Sequence, residues 1–293
     1  MLPSQTQRVL MLLALLLGIP ALAWATSTLG PSDGLGGWAM ADWEHPLHDA
    51  SWLLLGVLPA VLLAAVVAAA GNPLTGLFTL GATLSVGLAG LKSESAAGVL
   101  RRSLNPSAVT YIKLSAELLA WGLATAGVWL ALQWAAPRIA ARLPKRLRSE
   151  HATPPTAVPR FGFAELGSLG VTAMVGAALT WVLVQDNSAA QAMGSVLVAF
   201  TIAPLLGQSI SPAKHPLAVL LAPAVAGVGG YLFVALTLGR TEGALLQALF
   251  DGSLPGVGRV LPLHYAAAGL MGVCIGLGVW QMTLWTKTAR PAD

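Results

Sequence analysis

A chain of 293 residues with 56% hydrophobic and only 10% charged side chains has too little polar surface to coat a water-soluble globule of its size. Its mean hydropathy of +0.73 agrees. The net charge of +4 and the pI near 9.6 would suit a nucleic-acid binder in a soluble protein, but among repeated apolar runs they report loop topology, and no nucleic-acid partner is expected.

The apolar runs predict eight membrane helices, at about 9–26, 51–70, 74–91, 114–136, 167–185, 190–208, 217–238 and 264–286. The short alternating segments of an outer-membrane barrel are absent, so the class is all-α integral membrane. In the first span, Arg8, an apolar run, Pro20 and Ala21-Leu22-Ala23 also fit a cleaved signal peptide, which would leave seven helices. Ala21-Leu22-Ala23-Trp24 is echoed by Ala178-Leu179-Thr180-Trp181 in the fifth span, so the first helix is expected to be retained.

The loop 27–50 carries acids but no Lys or Arg. Its stretch Trp43-Glu44-His45-Pro46-Leu47-His48-Asp49, with Asp42 nearby, offers imidazole and carboxylate donors of the kind that bind zinc. Pro46 weakens a shared helical face for the two histidines, and His264 is the only other histidine expected on that side. A solvated interfacial loop flanked by Trp38, Trp43 and Trp52 is therefore expected, with no metal and no cofactor.

Asn72-Pro73-Leu74 opens the third span, which holds the hydroxyls Thr83 and Ser85, and Lys92-Ser93-Glu94 closes it. The fourth span contains Glu117, the only carboxylate clearly inside a span, whereas Asp186 lies at a helix boundary. An acid in hydrocarbon is costly and is a functional candidate by default. Gly127-Val128-Trp129 and Trp134 follow, and then a basic stretch, 137–166, in which Pro154-Pro155 and Pro159 resist helix.

These landmarks return in order. His215-Pro216-Leu217 opens the seventh span, Arg240-Thr241-Glu242 closes it, and Gly278-Val279-Trp280 with Trp285 lies in the eighth, 278 − 127 = 151 positions after its counterpart. The expected architecture is an eight-helix bundle from two parallel four-helix repeats, 1–136 and 167–293, joined by a basic cytoplasmic linker, 137–166. An even number of helices returns the chain to its starting side, so the implied pseudo-axis runs along the membrane normal, as in transporters built of parallel repeats. Small residues at four-residue spacing, Ala222, Ala226 and Gly230, then Gly272 and Gly276, predict close helix packing in the bundle, with homodimerisation as the second reading.

The paired outer motifs, Lys92, Ser93 and Glu94 with Arg240, Thr241 and Glu242, read either as a charged gate or as helix caps. Ser93 and Thr241 would be N-caps, and Glu94 and Glu242 would sit in a first turn where negative charge suits the dipole. The runs Ala96–Leu104 and Ala244–Phe250 favour caps, each beginning a short helix on the outer surface. With the N-terminus inside, ten of the 16 basic residues fall on the inner side, and six, Arg259 among them, fall outside. This predicts a multi-pass protein of a bacterial-type plasma membrane with both termini cytoplasmic.

No P-loop, Gly-x-Ser-x-Gly, His-Glu-x-x-His or Cys-x-x-Cys is present, and Cys274 is the single cysteine, so an enzyme is not the favoured reading. The leading expectation is a permease-like facilitator of a small molecule, with Glu117, Thr83, Ser85 and Gln281 as candidates for the substrate path. The alternatives are a membrane scaffold or assembly subunit and an intramembrane lipid-acting enzyme. Besides the lipid bilayer, a second copy or another membrane protein is the expected partner.

Overall fold

The computed structural model describes residues 5–25, 27, 46–90, 96–103, 106–144, 162–241 and 243–288. Among them the chain is entirely helical, without a strand. The first helices are α1 (Gln5–Ala25), α2 (Pro46–Ala70), α3 (Pro73–Leu84, continuing as a π-helix through Ser85–Gly90), α4 (Ala96–Arg102) and α5 (Ala108–Arg142). They are followed by α6 (Phe163–Leu183), α7 (Ala189–Ile210), α8 (Pro216–Leu220), α9 (Ala222–Thr237) and α10 (Ala244–Phe250). The chain then forms α11 (Gly256–Arg259) and α12 (Pro262–His264), passes through a π-helix, Tyr265–Gly269, and ends in α13 (Leu270–Thr288).

Among the described residues, seven helical stretches are long and apolar enough to cross a membrane: Gln7–Ala25, His48–Ala70, Ala108–Arg142, Phe163–Leu183, Ala189–Ile210, Pro216–Thr237 and Pro262–Met282. The span expected at 74–91 is the shorter apolar helix Pro73–Leu88. Leu16, Leu58, Leu62, Leu123 and Met174 are exposed side chains of these helices. In water they would form a large adhesive surface, whereas in a bilayer they face lipid. The chain is a multi-pass membrane protein.

Local chemistry sets the helix starts. Pro73 stands at the first position of α3, where its missing N–H costs nothing, and Asn72 Oδ1 accepts from Thr75 N at 2.9 Å. Ser107 caps α5 through Val109 N, and its own N–H donates to Thr110 Oγ1 at 3.4 Å. Glu165 caps α6 from within its first turn, accepting from Gly162 N at 3.0 Å and from Lys214 N at 3.3 Å. At the boundary before α7, Asp186 accepts from Ser188 N at 2.8 Å and Ser188 caps through Gln191 N.

Three expectations about these ends are corrected. Helix α5 does not stop at 136 but continues through Pro137 to Arg142, six residues into the stretch expected as linker. Alanines on both sides favour helix, and just past Pro137 the Arg138 Nη1 donates to Trp134 O at 2.5 Å while the guanidinium lies 4.0 Å from the Trp134 ring centre. The cap expected at Thr241 falls at Gly243, whose φ of 76° is open to glycine at little cost. Thr241 contributes its carbonyl to the turn, accepting from Ala244 N at 3.2 Å. Helix α4 is not a surface helix either, since Ala96–Leu100 are all buried, and it packs against α10 with Arg101 5.9 Å from the Phe250 ring centre.

Hydrogen bonds at the helix ends show how the crossings run. Gln7 donates to Ala70 O, Ser211 to Ala164 O and Ala108 N to Gly239 O, while α4 meets α10. Thus α1, α3, α6 and α8–α9 run toward the end of the bundle bearing α4 and α10, and α2, α5, α7 and α13 run away from it. Helix α5 packs chiefly on α9 and α2, and α13 on α7 and α3. Small residues let backbones meet. A Cβ on Gly76 would stand 2.5 Å from Ala64 O, and one on Gly272 2.6 Å from Leu197 O. The Ala222, Ala226 and Gly230 seam is likewise buried within the bundle.

Candidate functional site

The chain's three tyrosines converge in the middle of this packing. Tyr111 of α5, Tyr231 of α9 and Tyr265 of the π-helix before α13 are all fully buried. The Tyr111 and Tyr231 ring centres lie 5.8 Å apart, those of Tyr231 and Tyr265 6.2 Å, and Phe200 of α7 closes the row 6.3 Å from Tyr265. A phenol buried among apolar helices needs an acceptor for its O–H. All three find it on one short segment. Tyr111 donates to Gly258 O at 2.9 Å, Tyr231 to Val260 O at 2.6 Å and Tyr265 to Val257 O at 3.4 Å.

That segment belongs to the connection between α10 and α13. From Asp251 to Leu261 it runs eleven residues, against five, Ser103–Ser107, between α4 and α5. It leaves α10 through Gly252, with φ of 78°, and a bond from Leu254 N to Ala248 O, and then folds inward. The Ser253 hydroxyl, and then the Ser253 N–H, which donates to Asp251 Oδ1 at 2.9 Å, hold the exposed Asp251 carboxyl below the usual carboxylate range. Gly256 then passes so close to the end of α6 that a Cβ there would stand 2.6 Å from Trp181 O and 2.7 Å from Val184 O.

Arg259 locks the segment in place. Its Nε donates to Leu254 O at 2.8 Å and its Nη2 to Gly252 O at 2.5 Å, while Nη1 donates to Gln185 O just beyond α6. A guanidinium keeps its proton under all ordinary conditions, so burying it, at 6% exposure, requires acceptors. Carbonyls past the ends of α6 and α10 supply them with the partial negative charge of a helix C-terminus. The expectation that Arg259 and His264 stand in an outer loop is corrected. Both are buried, His264 with its Nδ1 3.3 Å from Leu261 N, because this loop is drawn into the bundle.

Beneath the segment, Glu117 lies two turns along α5 from Tyr111, 6% exposed and within electrostatic reach of Tyr231. The other expected path residues lie elsewhere. Thr83 donates to Thr79 O at 2.9 Å and faces Gly18 of α1, Ser85 is buried in the π-helical end of α3, and Gln281 is exposed on α13. These four side chains are thus spread over separate surfaces. Of the paired motifs, Lys92, Ser93, Glu94 and Glu242 lie outside the described residues, and Arg240 and Thr241 are exposed in the turn before α10. His45 also lies outside them. His48 sits in the first turn of α2, 3.1 Å from Asp49 Oδ1 and accepting from Trp52 Nε1 at 3.1 Å, and among the described residues no group of three or more potential ligands could hold a metal ion.

One small cleft lies beside the tyrosines. Leu118, Trp121 and Thr125 of α5 face Leu220, Pro223 and Tyr265 across it, and it has room for about one water molecule. Trp121 is buried, and its indole N–H has no acceptor among the described residues.

Comparison with known proteins returns no matching family model, no matching curated protein and no matching solved structure. Function therefore has to be argued from this geometry. If the tyrosine bonds hold the inward-folded segment, Tyr111→Phe should cost about 0.5–1.5 kcal/mol, the usual net worth of one buried hydrogen bond, read as a lower midpoint of thermal unfolding in detergent. An unchanged midpoint would show that Gly258 O is satisfied without the phenol.

Proposed function

We propose that the chain is a permease-like facilitator in a bacterial-type plasma membrane, built from two four-crossing units of the same orientation, with its pathway along their shared interface. The single observation that carries this is the polar cluster at that interface, where Glu117 and three tyrosines from α5, α9 and the start of α13 lie under a segment folded over them from one end. Groups that are costly to bury in a membrane protein mark ligand and ion routes more often than structural glue.

Several features support the two-unit reading. Asn72-Pro73 and His215-Pro216 both start a helix with proline at its beginning. Each third crossing leads into a short helix, α4 or α10, and these meet one another. The final helix of each unit crosses over to the third crossing of the other, α5 on α9 and α13 on α3. In this reading α3 and its π-helical extension form the third of eight crossings, shorter than the other seven, at most about 27 Å for 18 residues. The Lys and Arg bias of the sequence supports a cytoplasmic side for both termini, with the α10–α13 segment outside. The arrangement then corresponds to a state closed to the exterior.

Tight packing around the cluster favours the second reading, a scaffold subunit whose interface never opens. Cysteine accessibility separates the two, and with Cys274 buried the background is low. In right-side-out and inverted membrane vesicles, Ser115→Cys on α5 and Ser85→Cys on α3 should react with a membrane-impermeant maleimide from the cytoplasmic side, and Ser253→Cys should react from outside. Reaction of Ser253→Cys alone, with both buried positions inert from either side, would favour the scaffold.

A further inference from the structure

One face of α5 changes its chemistry in the order of a phospholipid. Leu119, Leu123 and Leu130 are exposed on it, then Trp134, then Arg138 and Arg142, at spacings of four and seven that keep them on one side of the helix. Between the leucines a Cβ on Gly127 would meet nothing within 4 Å, so the face is open, whereas Leu118, Leu132 and Ala136 on the other side are buried in the bundle. Length places the polar end. Helix α5 has 35 residues, roughly 52 Å, and a bilayer has about 30 Å of hydrocarbon, or about 40–45 Å with its headgroups. Lys113 is exposed near the start of the helix, and Arg138 follows 138 − 113 = 25 residues later, roughly 37 Å. The two cations therefore reach opposite headgroup layers, and Trp134 takes the depth at which indole rings anchor. Arg138 is held ready there, its Nη1 bonded to Trp134 O and its guanidinium 4.0 Å from the Trp134 ring centre. Among the described residues the one ion pair is that of His48 with Asp49, so neither Arg138 nor Arg142 has a carboxylate partner there.

We propose that this face binds one anionic phospholipid of the leaflet at the end of the bundle away from α4 and α10, the cytoplasmic leaflet in the orientation proposed above. Its phosphate lies between Arg138 and Arg142, its glycerol beside Trp134 and an acyl chain along the three leucines. The stretch from Leu119 to Trp134, 134 − 119 = 15 residues or roughly 22 Å, exceeds the roughly 15 Å that one leaflet contributes to the hydrocarbon, so the chain is followed over its whole depth. A zwitterionic headgroup offsets its phosphate with a cation of its own, and gains less from two arginines than a headgroup of net negative charge. A soluble anion would use the arginines and leave the rest of the face unused. The site stands whether or not a pathway opens between the two units.

The test is photolabelling of the full chain in phosphatidylcholine nanodiscs that contain a minor fraction of phosphatidylglycerol bearing a diazirine on its acyl chain, with the adducts mapped by mass spectrometry. Adducts are expected on peptides covering 119–134, competed by unlabelled phosphatidylglycerol and not by added phosphatidylcholine. Arg138→Gln and Arg142→Gln should each lower this labelling about fivefold, the worth of one cationic side chain at an anionic membrane surface. Both positions are exposed, so the thermal unfolding midpoint in detergent should not move with the labelling. Lys113→Gln, at the other end of the same helix, should leave the labelling as it is. Equal labelling of 119–134 by a diazirine phosphatidylcholine, labelling undiminished in both arginine variants, or as large a loss in Lys113→Gln would overturn the proposal. Competition by inorganic phosphate as strong as that by phosphatidylglycerol would overturn it too, by assigning the arginines to a soluble anion.

Discussion

Arg259→Met is expected to destabilise the protein by about 3–5 kcal/mol, close to the upper range for a single side chain. Each hydrogen bond from a charged donor is worth roughly 1.5–3 kcal/mol, and three carbonyls, of Leu254, Gly252 and Gln185, lose theirs together. The three bonds act as a unit, so the total falls below their sum. Removing the charge also relieves its desolvation, which sets the lower end of the range. Arg259→Lys should recover less than half of the loss, because an ammonium is a point donor and cannot span acceptors that a planar fork reaches at once. The measurement is unfolding in mixed micelles as the denaturing detergent fraction rises, followed by near-ultraviolet circular dichroism. A methionine variant within about 1 kcal/mol of the parent would mean that burying the guanidinium costs as much as its bonds return.

The second large effect is expected where α13 lies on α7. A Cβ on Gly276 would stand 2.5 Å from Thr201 O and 3.2 Å from Pro204 Cβ, so any larger residue must push the backbones of α13 and α7 away from each other and not merely turn a side chain. Overpacking typically costs about 1–3 kcal/mol, and more where backbone has to move, so Gly276→Leu should exceed about 3 kcal/mol or prevent assembly. Gly278→Leu is the control. A Cβ there meets nothing within 4 Å, so the gain in helix propensity, below about 1 kcal/mol, should leave stability level or slightly raised. Equal losses in the two variants would show that glycine serves these helices through flexibility and not through close approach.

The membrane crossings are legible in the sequence because each depends on its own run of apolar residues. Seven of the eight expected spans appear at full crossing length, and the remaining one, 74–91, appears as the shorter apolar helix Pro73–Leu88 among the described residues. The small-residue seams are legible for the same reason, since four-residue spacing is a property of one helix. The site is less so. Glu117 stands out in sequence as an acid in a hydrophobic run, and it does lie in the polar cluster. Tyr111, Tyr231 and Tyr265 do not stand out, because an isolated tyrosine near a span end resembles an interfacial anchor. Arg259 reads as solvent-facing because its burial depends on Gln185, 74 positions earlier, and on a segment bonded to Tyr111, 147 positions before Gly258. The signal available for it is compositional: Leu254-Pro255-Gly256-Val257-Gly258 is too apolar and too rich in small residues for an ordinary exposed loop. Thr241 resembles a cap because the choice between it and Gly243 turns on a backbone angle that residue identity only biases.

The long reach of those contacts has a consequence for biogenesis. Helices enter a bilayer in order from the N-terminus, yet Tyr111 and Tyr231 receive their acceptors from residues that emerge only just before the last crossing. Until then two phenols and the end of α6 wait in lipid without the partners they will have. Maturation is therefore gated by the C-terminal crossing, and a nascent chain halted before residue 251 should remain a target for membrane quality-control proteases however completely its earlier helices have inserted.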